Sequence, residues 1–203
     1  MDSWLVPDWA AVQIAPTALH RGTLPLRARA RQQRMQGDAM SYGTTSEEMN
    51  VVGLMGEDAV ANWLAGQGAE VCSIADEADS IASGQGDLEV SFKPAGWTRV
   101  IGLVEVKTSR RRDYLRLERT VIAGQLSRMN CHAVFWCTVA NDLAPGAAVD
   151  IMGWLPRAEV QEAAFHEPTV ARGRPAVRIK RPLRDPRGFL AWLETEARTL
   201  PPF

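Results

Sequence analysis

Gly86-Asp87-Leu88-Glu89-Val90 and, after a turn at Pro94-Ala95-Gly96, Val104-Glu105-Val106-Lys107-Thr108 are the segments that decide how this chain is read. Their alternation and β-branched content predict two strands, over 87–92 and 99–107, joined as a hairpin. Asp87 opens the first strand directly after a glycine turn. Glu105 and Lys107 end the second, and period-2 geometry sends both side chains to one face. Two carboxylates and an ammonium therefore converge where the open end of the hairpin meets the loops. Carboxylates about 4 Å apart repel by about 4 kcal/mol at an effective dielectric of roughly 20. A divalent cation removes that cost, and carboxylates with a backbone carbonyl suit Mg²⁺ or Mn²⁺. A lysine beside such an ion orients an attacking water and helps to deprotonate it.

Outward from the hairpin, a helix is expected from Thr45 or Ser46 to Ala65. Thr45 and Glu48 have capping-box spacing, and Gly66 and Gly68 are stop signals. Met49, Val52, Val60, Trp63 and Leu64 give its apolar stripe, and Glu57 falls at the edge of that buried face. A strand is expected over 70–74, a helix over 117–129, and strands over 133–139, 149–154 and 177–179. Helices over 158–164 and 188–198 complete the pattern. The order α-β-β-β-α-β predicts a mixed α/β fold around one central sheet.

Over about 46–140 the chain resembles the PD-(D/E)XK nuclease superfamily. Asp87 stands for the first acid, and Glu105-Val106-Lys107 for the acid-x-lysine. Glu57, in Gly-Glu-Asp-Ala-Val, stands for the upstream helix acid. Gln125, in Ala-Gly-Gln-Leu, stands for the glutamine of the following helix. The Gly-Glu helix and the short Glu-Val-Lys strand look most like Holliday-junction resolvases and related phage or restriction nucleases. The resemblance implies a restriction-endonuclease-like core, a central mixed sheet flanked by helices. It further implies a Mg²⁺-dependent DNA endonuclease in which Asp87, Glu105 and the Val106 carbonyl hold the ion. Glu57 would serve a second ion or a metal water, Lys107 the nucleophilic water, and Gln125 either Lys107 or the DNA backbone. A catalytically silent DNA-binding or assembly subunit with the same fold is the alternative.

The whole chain has 203 residues and a formal net charge of -1, with 46% hydrophobic and 23% charged residues, which excludes wholesale disorder. The charge is polarised: 46–106 carries 11 acids and 2 bases, 107–203 carries 16 bases and 10 acids. Residues 1–45 read as an N-terminal extension with a basic stretch, helical over about 26–35. Residues 141–203 read as a C-terminal extension completing the domain. Two basic clusters are candidate DNA surfaces: Arg110, Arg111, Arg112, Arg116 and Arg128 around the catalytic strand, and Arg172, Arg174, Lys180 and Arg181 in 172–187. Cutting two strands makes a homodimer, or a place in a larger nucleic-acid complex, the expected assembly. Cys131, His132 and Cys137 lack the second half of a zinc motif. Three cysteines are no disulfide framework, and no window reaches the roughly 18 apolar residues of a membrane span. With no signal-peptide layout at the start, the expected setting is cytoplasmic and DNA-associated.

Overall fold

Every residue of Ala133–Val139 is buried, so this run of apolar and β-branched side chains must lie inside a sheet covered on both faces. In the computed structural model it does. The structure describes residues 12–14, 28–29, 47–74, 86–96, 99–110, 119–140, 147–162, 166–171 and 173–199. We number the strands β1 (Val12–Ile14), β2 (Glu70–Ser73), β3 (Leu88–Phe92), β4 (Val100–Arg110), β5 (Thr120–Ile122), β6 (Ala133–Val139), β7 (Val149–Pro156), β8 (His166–Ala171) and β9 (Arg174–Ile179). The helices are α1 (Glu47–Gly66), α2 (Ala123–Arg128), α3 (Arg157–Gln161) and α4 (Phe189–Thr199).

A six-stranded sheet runs in the order β1-β7-β6-β4-β3-β2, and β5, β9 and β8 form a second, three-stranded sheet. The β4–β6 pair is parallel, with Glu105 opposite Val134 and Lys107 opposite Trp136, while its neighbours in the large sheet are antiparallel. The expected mixed α/β sheet flanked by helices is therefore present.

Alternation along the strands sorts the two faces. Leu88, Val90, Val104 and Val106 point into one core with Val52, Val60, Trp63 and Leu64 of α1 and with Phe189 and Leu193 of α4. Val134, Trp136 and Leu155 point into a second core, closed by Val121, Met129, Val160 and Ile179, with Leu103 packed at its margin. Asp87, Glu105 and Lys107 alternate with the first set and so belong to the second face. Phe135, Trp154, Phe189 and Trp192 form an aromatic knot, with ring centroids 4.9 Å apart for Phe135–Phe189 and 4.7 Å for Trp154–Trp192. Trp154 Nε1 also donates to the Asp185 carbonyl at 2.9 Å. Each such aromatic pair adds about 0.5–1.5 kcal/mol beyond its buried area. The helix stop at Gly68 is a Schellman turn: φ is +89°, Ala69 N–H donates to Leu64 O at 3.1 Å, and Gly68 N–H donates to Ala65 O at 3.0 Å.

Four expectations need correction. The second hairpin strand does not end at Lys107 but continues to Arg110, held by its parallel partner as far as Arg110↔Val139. Of the helix expected over 117–129, the described residues keep only α2, because the β-branched Thr120, Val121 and Ile122 pair with β9 instead. The helix expected over 158–164 stops at Gln161, and β8 follows. Pro168 hid that strand, and an edge strand tolerates it. β1 was not anticipated, and it pairs with β7 through Val12↔Ile151. Of the helix expected over 26–35, Ala28 and Arg29 are helical and Ala28 is fully buried in the first core; the rest lies outside the described residues.

Candidate active site

The last pair between β3 and β4 is Leu88↔Val104, and beyond it, among the described residues, β4 keeps only its β6 partner. Asp87 fills the vacated edge. Its backbone N–H donates to Val104 O at 2.7 Å, and its carbonyl accepts from Ile74 N–H at 3.0 Å. Its carboxylate Oδ2 then accepts from Val106 N–H at 2.7 Å, standing where a strand carbonyl would otherwise bond. Gly86 makes this approach possible, because a Cβ there would sit 2.6 Å from the Val104 carbonyl oxygen. The glycine turn and Asp87 are thus one device.

Lys107 Nζ donates to Glu105 Oε1 in an ion pair whose side chains are 24% and 17% exposed. Burial alone would lower the Lys107 pKa, but Glu105 and Asp87 outweigh it and hold the ammonium above its ordinary value. In this state Lys107 is a fixed cation and donor. A group held so is a donor and not a base. The Asp87 carboxyl is held well above the usual carboxylate range by burial, then by the charges of Glu105 and Glu57; Lys107 and the Val106 N–H act in the opposite sense. Glu57, 3% exposed, comes from the α1 side. Glu105 thus acts on Asp87 from its own strand, and Glu57 from the helix that packs on the first face.

Cys131 was overlooked as a neighbour of this cluster. Its thiol is pushed up to about 12 by burial and then by the charge of Glu105, so it stays a neutral thiol. A lone cysteine after a predicted helix carries no sequence signal for that contact. Gln125 lies half-buried on α2, and no hydrogen bond joins it to Lys107 among the described residues.

His132 is a backbone cap. Its Nδ1 accepts from Leu103 N–H at 2.9 Å, which requires the neutral ring, and burial followed by the Arg157 charge lowers its pKa from 6.5. A lowered folded pKa means stability that is present above about pH 6.5 and lost as the pH falls through the folded value. His132→Gln keeps an acceptor and does not titrate. Thermal melts from pH 7.5 to about 5 should therefore show the wild type losing more stability than the variant; parallel losses would remove His132 as the cause.

The basic clusters separate. Arg110 is half-buried at the end of β4, and Arg111, Arg112, Arg116 and Arg172 lie outside the described residues. Arg128 ends α2 and Arg174 begins β9. In the second cluster Lys180 and Arg178 share Glu167 at 3.2 and 3.4 Å, Arg181 and Arg184 share Glu159, and Arg187 pairs with Asp185 at 3.1 Å. Much of that charge is spent inside the molecule.

Mg²⁺ commonly takes one or two carboxylates, with waters and substrate phosphates completing its shell. Asp87 and Glu105 supply two; burial and then the charges of Glu105 and Glu57 push the Asp87 carboxyl up, and a cation would relieve the charge repulsion. Among the described residues no three or more His, Cys, Asp or Glu side chains are grouped to hold a metal by themselves, so any ion here would lean on backbone, water or substrate oxygens. No helix among the described residues is long and apolar enough to cross a membrane. Compared with family models, curated proteins and solved structures, the chain matches none.

Proposed function

We propose that this chain is a metal-dependent DNA endonuclease of the PD-(D/E)XK kind, hydrolysing phosphodiesters by attack of an oriented water. The observation that carries the reading is the Asp87 carboxylate, seated on Val106 N–H beside the Glu105–Lys107 pair at the point where β3 gives out. A helix, three antiparallel strands, a short helical crossover and a parallel strand surround it, and that order supports the family reading. Asp87, Glu105 and the Val106 carbonyl would hold Mg²⁺ or Mn²⁺, with Glu57 beside them. The ion would supply positive charge to the phosphate and lower the pKa of a bound water.

The chain's own groups do the rest. The Glu105–Lys107 pair fixes the ammonium, which donates to the incoming water or a non-bridging phosphate oxygen. The Val106 N–H keeps Asp87 from rotating away. Arginines after β4 hold flanking phosphates, and a homodimer would present two such sites to two strands. Four-way-junction, linear duplex and single-stranded DNA should be incubated with Mg²⁺, Mn²⁺, Ca²⁺ or EDTA. We expect cleavage with Mg²⁺ or Mn²⁺, none in EDTA, and binding with poor cleavage in Ca²⁺, whose longer bonds misalign the groups. Full cleavage in EDTA would remove the mechanism. DNA binding with no cleavage under any condition would instead favour the silent-subunit reading.

A further inference from the structure

Gly56 lies inside the twenty-residue α1, where alanine would favour the helix. A Cβ at this position would fall 1.8 Å from Thr108 Oγ1, 2.9 Å from Thr108 Cβ and 3.0 Å from Thr108 Cγ2. The helix therefore touches β4 through a bare Cα. The strand side of the contact is equally unusual: Thr108 Oγ1 is buried with no hydrogen-bond partner among the described residues, on a face where Val104 and Val106 precede it. A helix standing one methyl group further out, with alanine against valine, would remove both costs.

The close approach has one visible effect on the candidate site. Glu57, the next residue, is carried into the interior at 3% exposure, within electrostatic reach of Asp87. Thr108 lies on the same strand as Glu105 and Lys107, so the contact gauges the helix directly against the strand that bears them. We infer that the Gly56–Thr108 contact is a spacer that sets how far Glu57 reaches toward Asp87 and Glu105, making Gly56 and Thr108 positioning residues for a divalent-cation site. The inference rests on the proposed function, since it concerns the cation that reading requires.

The test is calorimetric titration with Mn²⁺ alone, with circular dichroism to establish folding. Gly56→Ala should weaken Mn²⁺ binding about tenfold, the usual scale for disturbing a group that supports metal ligands. Pairing it with Thr108→Gly, which vacates the space, should return affinity to within about twofold of Thr108→Gly alone. Glu57→Gln should cost about tenfold, and Gly56→Ala added to it should cost nothing more, because both act through one carboxylate. If Gly56→Ala alone does not fold, Gly56→Ala with Thr108→Ala, which removes Oγ1 and Cγ2 and leaves the 2.9 Å contact to Cβ, carries the same comparison as a milder crowding. A folded crowded variant with wild-type affinity, or a further tenfold loss in the Glu57→Gln background, would overturn the spacer. A wild-type chain that binds no Mn²⁺ would overturn the proposed function and the spacer with it.

Discussion

Asp87→Asn is expected to reduce Mg²⁺-dependent cleavage by about 10³-fold or more while leaving the fold intact. A metal ion supplies several kcal/mol of charge stabilisation in phosphoryl transfer, and each ~1.4 kcal/mol lost is a factor of ten. The asparagine oxygen can still accept the Val106 N–H, so the edge of β4 stays capped. Without metal the variant should even be the more stable protein at neutral pH. The wild-type carboxyl has a folded pKa above its ordinary 3.8, raised by burial and by Glu105 and Glu57. Its contribution to stability is present below 3.8 and is lost as the pH rises through the folded value. A neutral amide escapes that loss. Melts at pH 7.5 should show Mn²⁺ raising the wild-type Tm and leaving that of Asp87→Asn unchanged. A variant that cuts at the wild-type rate would mean that the site has been misassigned.

Lys107→Ala should lower the cleavage rate by about 10²–10³-fold, the scale seen when one preorganised donor to a developing charge is removed. Metal binding should change in the other direction. Glu105 loses its ion-pair partner and keeps its neighbour Asp87, so the carboxylates gain more from a cation than before. The expected signature is Mn²⁺ affinity equal to or tighter than wild type, DNA affinity nearly unchanged, and a slow chemical step. Loss of Mn²⁺ binding in a folded variant would show that Lys107 shapes the ligands and would remove its role in orienting water.

The β3–β4 hairpin was legible because its signals are local. Alternation gave β3 and β4, the glycine before Asp87 marked the turn, and Ala133–Val139 announced itself as a buried strand through composition. The first helix was also legible, since Trp63, Leu64 and Val60 recur at its period and Gly68 stops it. What escaped was decided at long range. Thr120–Ile122 becomes a strand because β9 arrives beside it from residue 174 onward. β4 outruns its hairpin partner because β6, not β3, holds its far end. Within the site, period-2 geometry foresaw the Glu105–Lys107 pair. No spacing rule foresees a carboxylate taking a strand's hydrogen bond, or Cys131, just ahead of β6, feeling the charge of Glu105. The pairing of the second basic cluster was out of sight for the same reason: its counter-charges, Glu159 and Glu167, lie outside the window in which the arginines were counted.

The aromatic knot has a consequence in time. A ribosome releases the chain from its N-terminus, so the hairpin with Asp87, Glu105 and Lys107 emerges long before Phe189, Leu193 and Trp192 of α4. Until α4 docks, Phe135 and Trp154 lack the rings of Phe189 and Trp192, and α1 is left to cover that face of the sheet without α4. Domains generally fold as units once their last packing element is available. A nascent chain therefore carries every residue of the cluster in sequence before α4 is free to close the core beneath them, which on the proposed function is a delay between translation and the capacity to cut DNA.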